Sequence, residues 1–271
     1  MTPAPLALQA VVVDWAGTII DHGSRAPVEA FREIFRRCNA PISVEEARGP
    51  MGMEKRDHIV ALLAMPRIAQ SWRQVHGRAA SDAEVDEMYR EFLPVQSDLL
   101  PQYADEIPGV RAALAFCRQR GLRIGSSSGY AAPLMEKLAS LAQARGLHVD
   151  AVVSASEVAA GRPAPWMIFK NMERLGVYPP ASVATVDDTC VGVEAGVNAG
   201  AWSIGVVETG NLLGLSVAEL SQLTAAQREE RRALGRDALL AAGAHYAINS
   251  AADLPQALDS ISERLARGER P

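Results

Sequence analysis

Asp14 closes the apolar run Val11-Val12-Val13 and opens a small-residue turn, Trp15-Ala16-Gly17-Thr18. A carboxylate at the carboxyl end of a buried parallel strand lies in the crevice where open α/β sheets bind ligands, and as a nucleophile it can attack phosphorus to give an acyl phosphate. Four further positions extend such a site. Ser128, in the run Ser126-Ser127-Ser128-Gly129, can donate its hydroxyl to a phosphoryl oxygen, with Gly129 beside it. Arg162, in the Gly/Pro loop Ala160-Gly161-Arg162-Pro163, can neutralise the same group. Asp187 and Asp188 follow the apolar run 183–186, and a carboxylate there can join Asp14 in holding Mg2+, which takes hard oxygen ligands together with waters and substrate oxygens. Each signal is weak alone. The ordered series Asp, Ser, Arg, Asp, each at the end of a strand or in the loop beyond it, is much more specific.

The elements that must position these groups are legible as alternating patterns. Short apolar runs predict strands at 10–13, 122–126, 151–154, 183–186, 202–207 and 246–248, and helical periodicity falls between them at 109–120, 132–145, 165–175, 192–199 and 251–266. Strands alternating with helices of that length predict an α/β fold with a doubly wound parallel sheet. Gly121, Gly146, Gly176 and Gly200 each follow a helical run, where a left-handed residue ends a helix. The stretch 23–100 breaks the rhythm, with helical periodicity and no strand. Pro27 can open its first helix with Val28, Phe31, Ile34 and Phe35 on one face, and Ser43 with Glu46 and Ser81 with Glu84 have capping-box spacing. The expected organisation is therefore an α/β core formed by 1–22 and 101–271, and an inserted α-helical cap, 23–100, placed over Asp14 and able to exclude water. The charged stretch 227–236 reads as a solvated helix.

Composition narrows the partners. The chain has 271 residues, 48% of them hydrophobic, and a formal net charge of −5; with no basic run, it is expected to bind neither nucleic acid nor an anionic membrane. Cys38, Cys117 and Cys190 are odd in number and lack metal spacing, which suits reduced thiols in a cytoplasmic protein. No signal-peptide pattern and no stretch of about 20 apolar residues is present.

The Asp, Ser, Arg, Asp order resembles the haloacid dehalogenase superfamily of aspartate-nucleophile phosphotransferases along nearly the whole chain, which implies a Rossmann-like core. Most phosphatases of that superfamily carry Asp-x-Asp, the second Asp protonating a leaving alkoxide, whereas here Ala16 takes that place. Together with Gly49-Pro50-Met51-Gly52-Met53-Glu54-Lys55-Arg56-Asp57-His58, Met65-Pro66-Arg67-Ile68 and Gly161-Arg162-Pro163-Ala164-Pro165-Trp166-Met167, the chain is similar to the phosphonoacetaldehyde hydrolase family. The resemblance implies that Asp14 is the nucleophile, that Lys55 forms an imine with a substrate aldehyde, that Mg2+ is held by Asp14, the Ala16 carbonyl and Asp188, and that the protein is a homodimer. Many superfamily members have a carboxylate four residues beyond the late Asp. Gly192 occupies that position here, leaving Asp187 or Glu194 as further candidates for the metal.

The residues make chemical sense on their own. Cleaving a carbon–phosphorus bond leaves a carbanion, so an acid at position 16 has little to do, and an electron sink is needed instead. An imine supplies one. It requires a neutral amine, yet a lysine with a pKa of ~10.4 is neutral at pH 7 in only about one molecule in 2500. If Gly52 caps the following helix, Lys55 lies in its first turn, where the positive end of the dipole and Arg56 disfavour the ammonium. His58, three residues on, shares its helical face and is a candidate proton shuttle, and Met51 borders the same pocket. Lys55, Lys137 and Lys170 are the only lysines among 27 Lys and Arg residues, and arginine does not deprotonate to form an imine. Two rival readings remain open at this point: a phosphate-ester phosphatase or mutase, which should carry an acid at 16, and a silent receiver-like module, which needs no cap lysine.

Overall fold

The computed structural model describes residues 6–271, so the first five positions of the expected core lie outside the described residues. Six strands, β1 (Ala10–Val13), β2 (Arg123–Ser128), β3 (Ala151–Ser154), β4 (Val183–Asp187), β5 (Trp202–Val206) and β6 (Tyr246–Ile248), form one sheet in the order β3-β2-β1-β4-β5-β6, all pairs parallel. This is the doubly wound order expected from the alternating pattern. Its direction of winding reverses between β1 and β4, so the crevice at the strands' carboxyl ends opens just past Val13, which pairs with Ser126 on one side and Val186 on the other.

Alternation along β1 explains how the sheet is covered. Val11 and Val13 face α6 (Val110–Gln119), α7 (Ala132–Ala144) and α12 (Leu254–Ala266), whose buried residues include Leu114, Leu138 and Ile261. Ala10 and Val12 face α8 (Trp166–Leu175) and α9 (Cys190–Asn198), through Ile168, Met172 and Ala195. With both faces covered, strands read as continuous apolar runs rather than as alternating ones. Gly121, Gly146, Gly176 and Gly200 all adopt left-handed φ just past α6, α7, α8 and α9, as expected.

Between β1 and α6 the chain forms five helices: α1 (Arg25–Arg37), α2 (Val44–Arg48), α3 (Lys55–Ala64), α4 (Pro66–His76) and α5 (Asp82–Tyr103). They enclose their own apolar cluster, in which Phe31, Ile34, Phe35, Ile59, Leu62, Ile68, Trp72 and Phe92 are buried. Both expected capping boxes form, Ser43 with Glu46 and Ser81 with Glu84. α5 runs past position 100 and joins the two clusters, with Phe92 in the helical one and Leu100 against the sheet. The cap of α3 differs from the expectation. Glu54, not Gly52, is the N-cap, its Oε2 accepting the Arg56 and Asp57 amides at 2.7 and 3.2 Å. Gly52 serves another need: at φ 96° a Cβ there would overlap Thr189 and Val191 of the core.

The charged stretch forms α11 (Ala225–Ala241), which packs beside α9 against β5 and β6 through Leu239, and is preceded by a short α10 (Val217–Ser221) that had no sequence signal. Among the described residues no helix is long and apolar enough to cross a membrane.

Candidate active site

The site is built from five chain segments that meet at the carboxyl edge of the sheet. Asp14 leaves β1 with its amide donating to Val186 O at 2.8 Å, which fixes the carboxylate between the ends of β1 and β4. The turn after it is tight because Gly17, at φ 80°, lets the backbone pass the Asp188 carboxylate where any Cβ would collide with it. One cavity is lined by Asp14, Ala16, Ser128, Gly129, Arg162 and Asp188 from the core, and by Met51 and Lys55 from the helical insertion. Ser24, Pro27, Gly52, Tyr130 and Thr189 complete its wall.

Arg162 organises the acidic side. Its Nη2 donates to Asp14 Oδ1 at 2.8 Å, to Ser127 Oγ at 3.0 Å and to Ser127 O at 3.1 Å, and lies 3.0 Å from Asp187 Oδ2. Asp187 Oδ1 accepts the Thr189 amide at 3.0 Å and the Thr189 hydroxyl at 2.7 Å. Asp188 Oδ2 accepts the Asn211 amide at 2.7 Å. All three carboxylates are buried, and one oxygen from each lies within 4.8 Å of the others. Glu194 is not part of this group. Three acids with one arginine between them leave an excess of buried negative charge. Burial, opposed by Arg162 and aided by Asp187, pushes Asp14 up to about 7, and burial together with Asp14 and Asp187 holds Asp188 well above the usual carboxylate range. A divalent cation would relieve this excess with oxygen donors already in place, so the residues present fit Mg2+.

Lys55 is the opposite anomaly. It is 2% exposed, yet its Nζ has no hydrogen bond or ion pair among the described residues; it faces the rings of Tyr130 at 5.5 Å and Phe31 at 5.8 Å. Gly129 lets the backbone before α3 pass close by, since a Cβ there would lie 2.8 Å from Met53 O. Burial lowers the Lys55 pKa to about 8 against the pull of Asp14 and Glu54. Holding the amine charged below that pH costs the folded state about 3 kcal/mol relative to an exposed lysine. Because the folded pKa is below the unfolded one, the cost is full below pH 8 and fades as pH rises towards 10.5. Lys55→Met is therefore expected to raise the melting temperature at pH 7 by roughly 5 °C, a gain that shrinks at pH 10; calorimetry at the two pH values checks it.

His58 does not reach the cavity. Its ring is buried and stacked on Phe31 at 3.8 Å, with Nε2 against Ala47 O at 2.9 Å, and burial holds it well below its ordinary pKa. The expected proton shuttle His58 is thus not among the residues that line the cavity; its described contacts are with Phe31 and Ala47. Several residues with no earlier signal do take part. Ser127 holds Arg162, Tyr130 walls the lysine, and Arg48 clasps the insertion to the core, donating from Nη1 to Gly23 O at 2.8 Å and Asn211 Oδ1 at 3.1 Å and from Nη2 to Gly214 O at 2.8 Å. Asn211 is the same residue whose amide holds Asp188. Ser127 and Tyr130 could have been found from their place beside Ser128, but Arg48 and Asn211 are far apart in sequence and meet only in the fold.

Comparison with known proteins agrees with this architecture. The haloacid dehalogenase-like hydrolase family profile matches residues 8–200. A phosphonoacetaldehyde hydrolase of Paraburkholderia xenovorans is 43% identical over 264 residues, covering 97% of this chain and 99% of that one. One from Bordetella pertussis is 44% identical over 267 residues, covering 98% and 97%. The crystal structure of a phosphonoacetaldehyde hydrolase-like protein from Oleispira antarctica superposes with a TM-score of 0.97 at 35% identity, covering 100% of this chain and 99% of that one. A putative β-phosphoglucomutase of Bacteroides vulgatus, at TM-score 0.70 and 22% identity over 96% and 91% of the two chains, shares the fold alone. The chain belongs to the haloacid dehalogenase-like hydrolases and, among them, to the phosphonoacetaldehyde hydrolase family.

Proposed function

We propose that this protein hydrolyses phosphonoacetaldehyde to acetaldehyde and phosphate, with Lys55 and Asp14 dividing the work. The observation that carries the reading is a buried, unpaired lysine amine in the same cavity as a strand-end aspartate, with the methyl group of Ala16 where an ester phosphatase needs an acid. The depressed Lys55 pKa raises its neutral fraction at pH 7 to about a tenth, enough for the amine to act as a nucleophile.

Lys55 Nζ adds to the aldehyde carbon and expels water, forming a protonated imine. Asp14 attacks phosphorus, the carbon–phosphorus bond breaks, and its electron pair moves through carbon to the imine nitrogen, giving an enamine and an aspartyl phosphate. The enamine is protonated at carbon and hydrolysed, which frees acetaldehyde and the Lys55 amine; a water then displaces phosphate from Asp14. Arg162 and Ser128 bind the phosphoryl oxygens, and Arg162 holds Asp14 in place. Asp14, Asp188 and the Ala16 carbonyl would hold Mg2+, which when bound offsets negative charge on the phosphoryl group and the carboxylates.

The helical insertion serves as the lid. The cavity is small, about 20 Å3, room for about one water, so a two-carbon phosphonate is expected to enter with the helices displaced. Lid closure would then desolvate Lys55 and keep water from the imine.

The test is an assay of purified protein with Mg2+ and phosphonoacetaldehyde, measuring acetaldehyde and phosphate. Equal yields support the reading, and release of phosphate from sugar phosphates but not from the phosphonate would overturn it. In the same assay, with Mg2+ keeping Asp14 ionised, kcat/KM is expected to rise about tenfold per pH unit below pH 8 and to level off above it, because the free enzyme must hold Lys55 neutral. A profile flat from pH 6 to 8 would contradict this assignment.

A further inference from the structure

Gly192 lies in the first turn of α9, and a Cβ placed on it would overlap the carboxylate of Asp187. The space that a side chain at 192 would fill is thus already taken, from the strand side, by Asp187. That carboxylate is fully engaged: Oδ1 accepts from the Thr189 amide and hydroxyl, and Oδ2 faces Arg162 Nη2 at 3.0 Å. Arg162 is 6% exposed and reaches Asp14 through the same nitrogen.

We propose that Asp187 is a positioning residue that aims Arg162 at the phosphoryl group beside Asp14, and that glycine at 192 is the condition for it. The proposal rests on the phosphoryl-binding reading of Arg162 given above. Without Asp187 the guanidinium keeps Asp14 and Ser127 on Nη2 but loses the ion pair on the β4 side. With Asp187 present that nitrogen is held from both β1 and β4, so the remaining N–H groups meet an incoming anion with less ordering. Asp187 directs one oxygen to Thr189 and the other to Arg162, beside the oxygens that Asp14 and Asp188 offer a cation. The geometry also makes the carboxylate transferable. Position 192 is the third helical residue after the N-cap Thr189, whose hydroxyl accepts the Gly192 amide at 3.1 Å, a place where aspartate suits a helix. A carboxylate launched from 192 would enter the volume that Asp187 now fills.

Four variants test this by isothermal titration with inorganic phosphate in the presence of Mg2+, and by steady-state kinetics. Asp187→Asn keeps the shape and the bond from Thr189 but turns an amide towards Arg162; it is expected to weaken phosphate binding about tenfold and to raise KM by a similar factor, with kcat changed less. Asp187→Gly should do the same. Gly192→Ala, which displaces Asp187, should match them. The double variant Asp187→Gly with Gly192→Asp is expected to return to within about threefold of the parent. Phosphate binding unchanged in Asp187→Asn, or a double variant no better than Asp187→Gly, overturns the proposal, and Asp187→Asn decides it even if a glycine variant fails to fold. Phosphate binding needs no phosphonoacetaldehyde, so a parent protein that binds phosphate without cleaving the phosphonate sinks the functional reading and leaves this test intact.

Discussion

Lys55→Arg is expected to lower kcat/KM for phosphonoacetaldehyde at least about 1000-fold, because it keeps a positive charge but removes the one amine that lines the cavity among the described residues. Lys55 is a conspicuous residue to keep. Buried with no hydrogen bond or ion pair among the described residues, it weakens the fold, and a charged side chain placed at such a cost points to function rather than packing. Arginine is larger, and the cavity has little spare room, so overpacking of about 1–3 kcal/mol is part of the expected change. Lys55→Met separates the effects: it should be as inactive as Lys55→Arg while being more stable than the parent. Activity within tenfold of the parent in either variant would remove the imine from the mechanism. Steady-state assays with circular dichroism melting curves measure both quantities.

Asp14→Asn is expected to abolish phosphate release, by about 10000-fold or more, yet to leave the lysine chemistry working. The amide cannot displace carbon from phosphorus. Imine formation, however, uses only Lys55, and Asp14 is the leading group that favours the charged amine against burial. Neutralising position 14 lowers the Lys55 pKa further, so at pH 7 more of the amine is free. The variant should therefore accumulate the imine with phosphonoacetaldehyde at least as readily as the parent. Arg162 keeps Asp187 and Ser127 as partners, so the site is not expected to collapse. Stopped-flow or mass spectrometry of the variant with substrate checks the intermediate; loss of imine along with turnover would mean that the two groups do not act in separate steps.

The core was legible because a parallel sheet buried on both faces needs continuous apolar runs, and all six runs became strands. The boundary at β2 moved for a physical reason. Ser127 and Ser128 carry little intrinsic preference for a strand, but pairing with Val153 and Ser154 extends β2 through them. Gly52 was misread as a helix cap since a glycine before a helix has two explanations, and contact with Thr189 and Val191 is invisible in one dimension. The chemistry-bearing types Asp14, Lys55, Arg162 and Asp188 stood out through spacing and through what was missing at Ala16. His58 shows the limit of helical spacing: three residues from Lys55, it is not among the residues that line the cavity and stacks on Phe31 instead. Arg48 and Asn211 could not be read at all, since their polar contacts exist only once the insertion is seated on the core.

Borohydride reduction in the presence of phosphonoacetaldehyde, followed by peptide mass mapping, tests the proposed imine most directly. A two-carbon adduct on the peptide containing Lys55, absent without substrate and absent in Lys55→Arg, is the expected result. Full turnover with no adduct at Lys55, or an adduct confined to Lys137 or Lys170, would contradict the account.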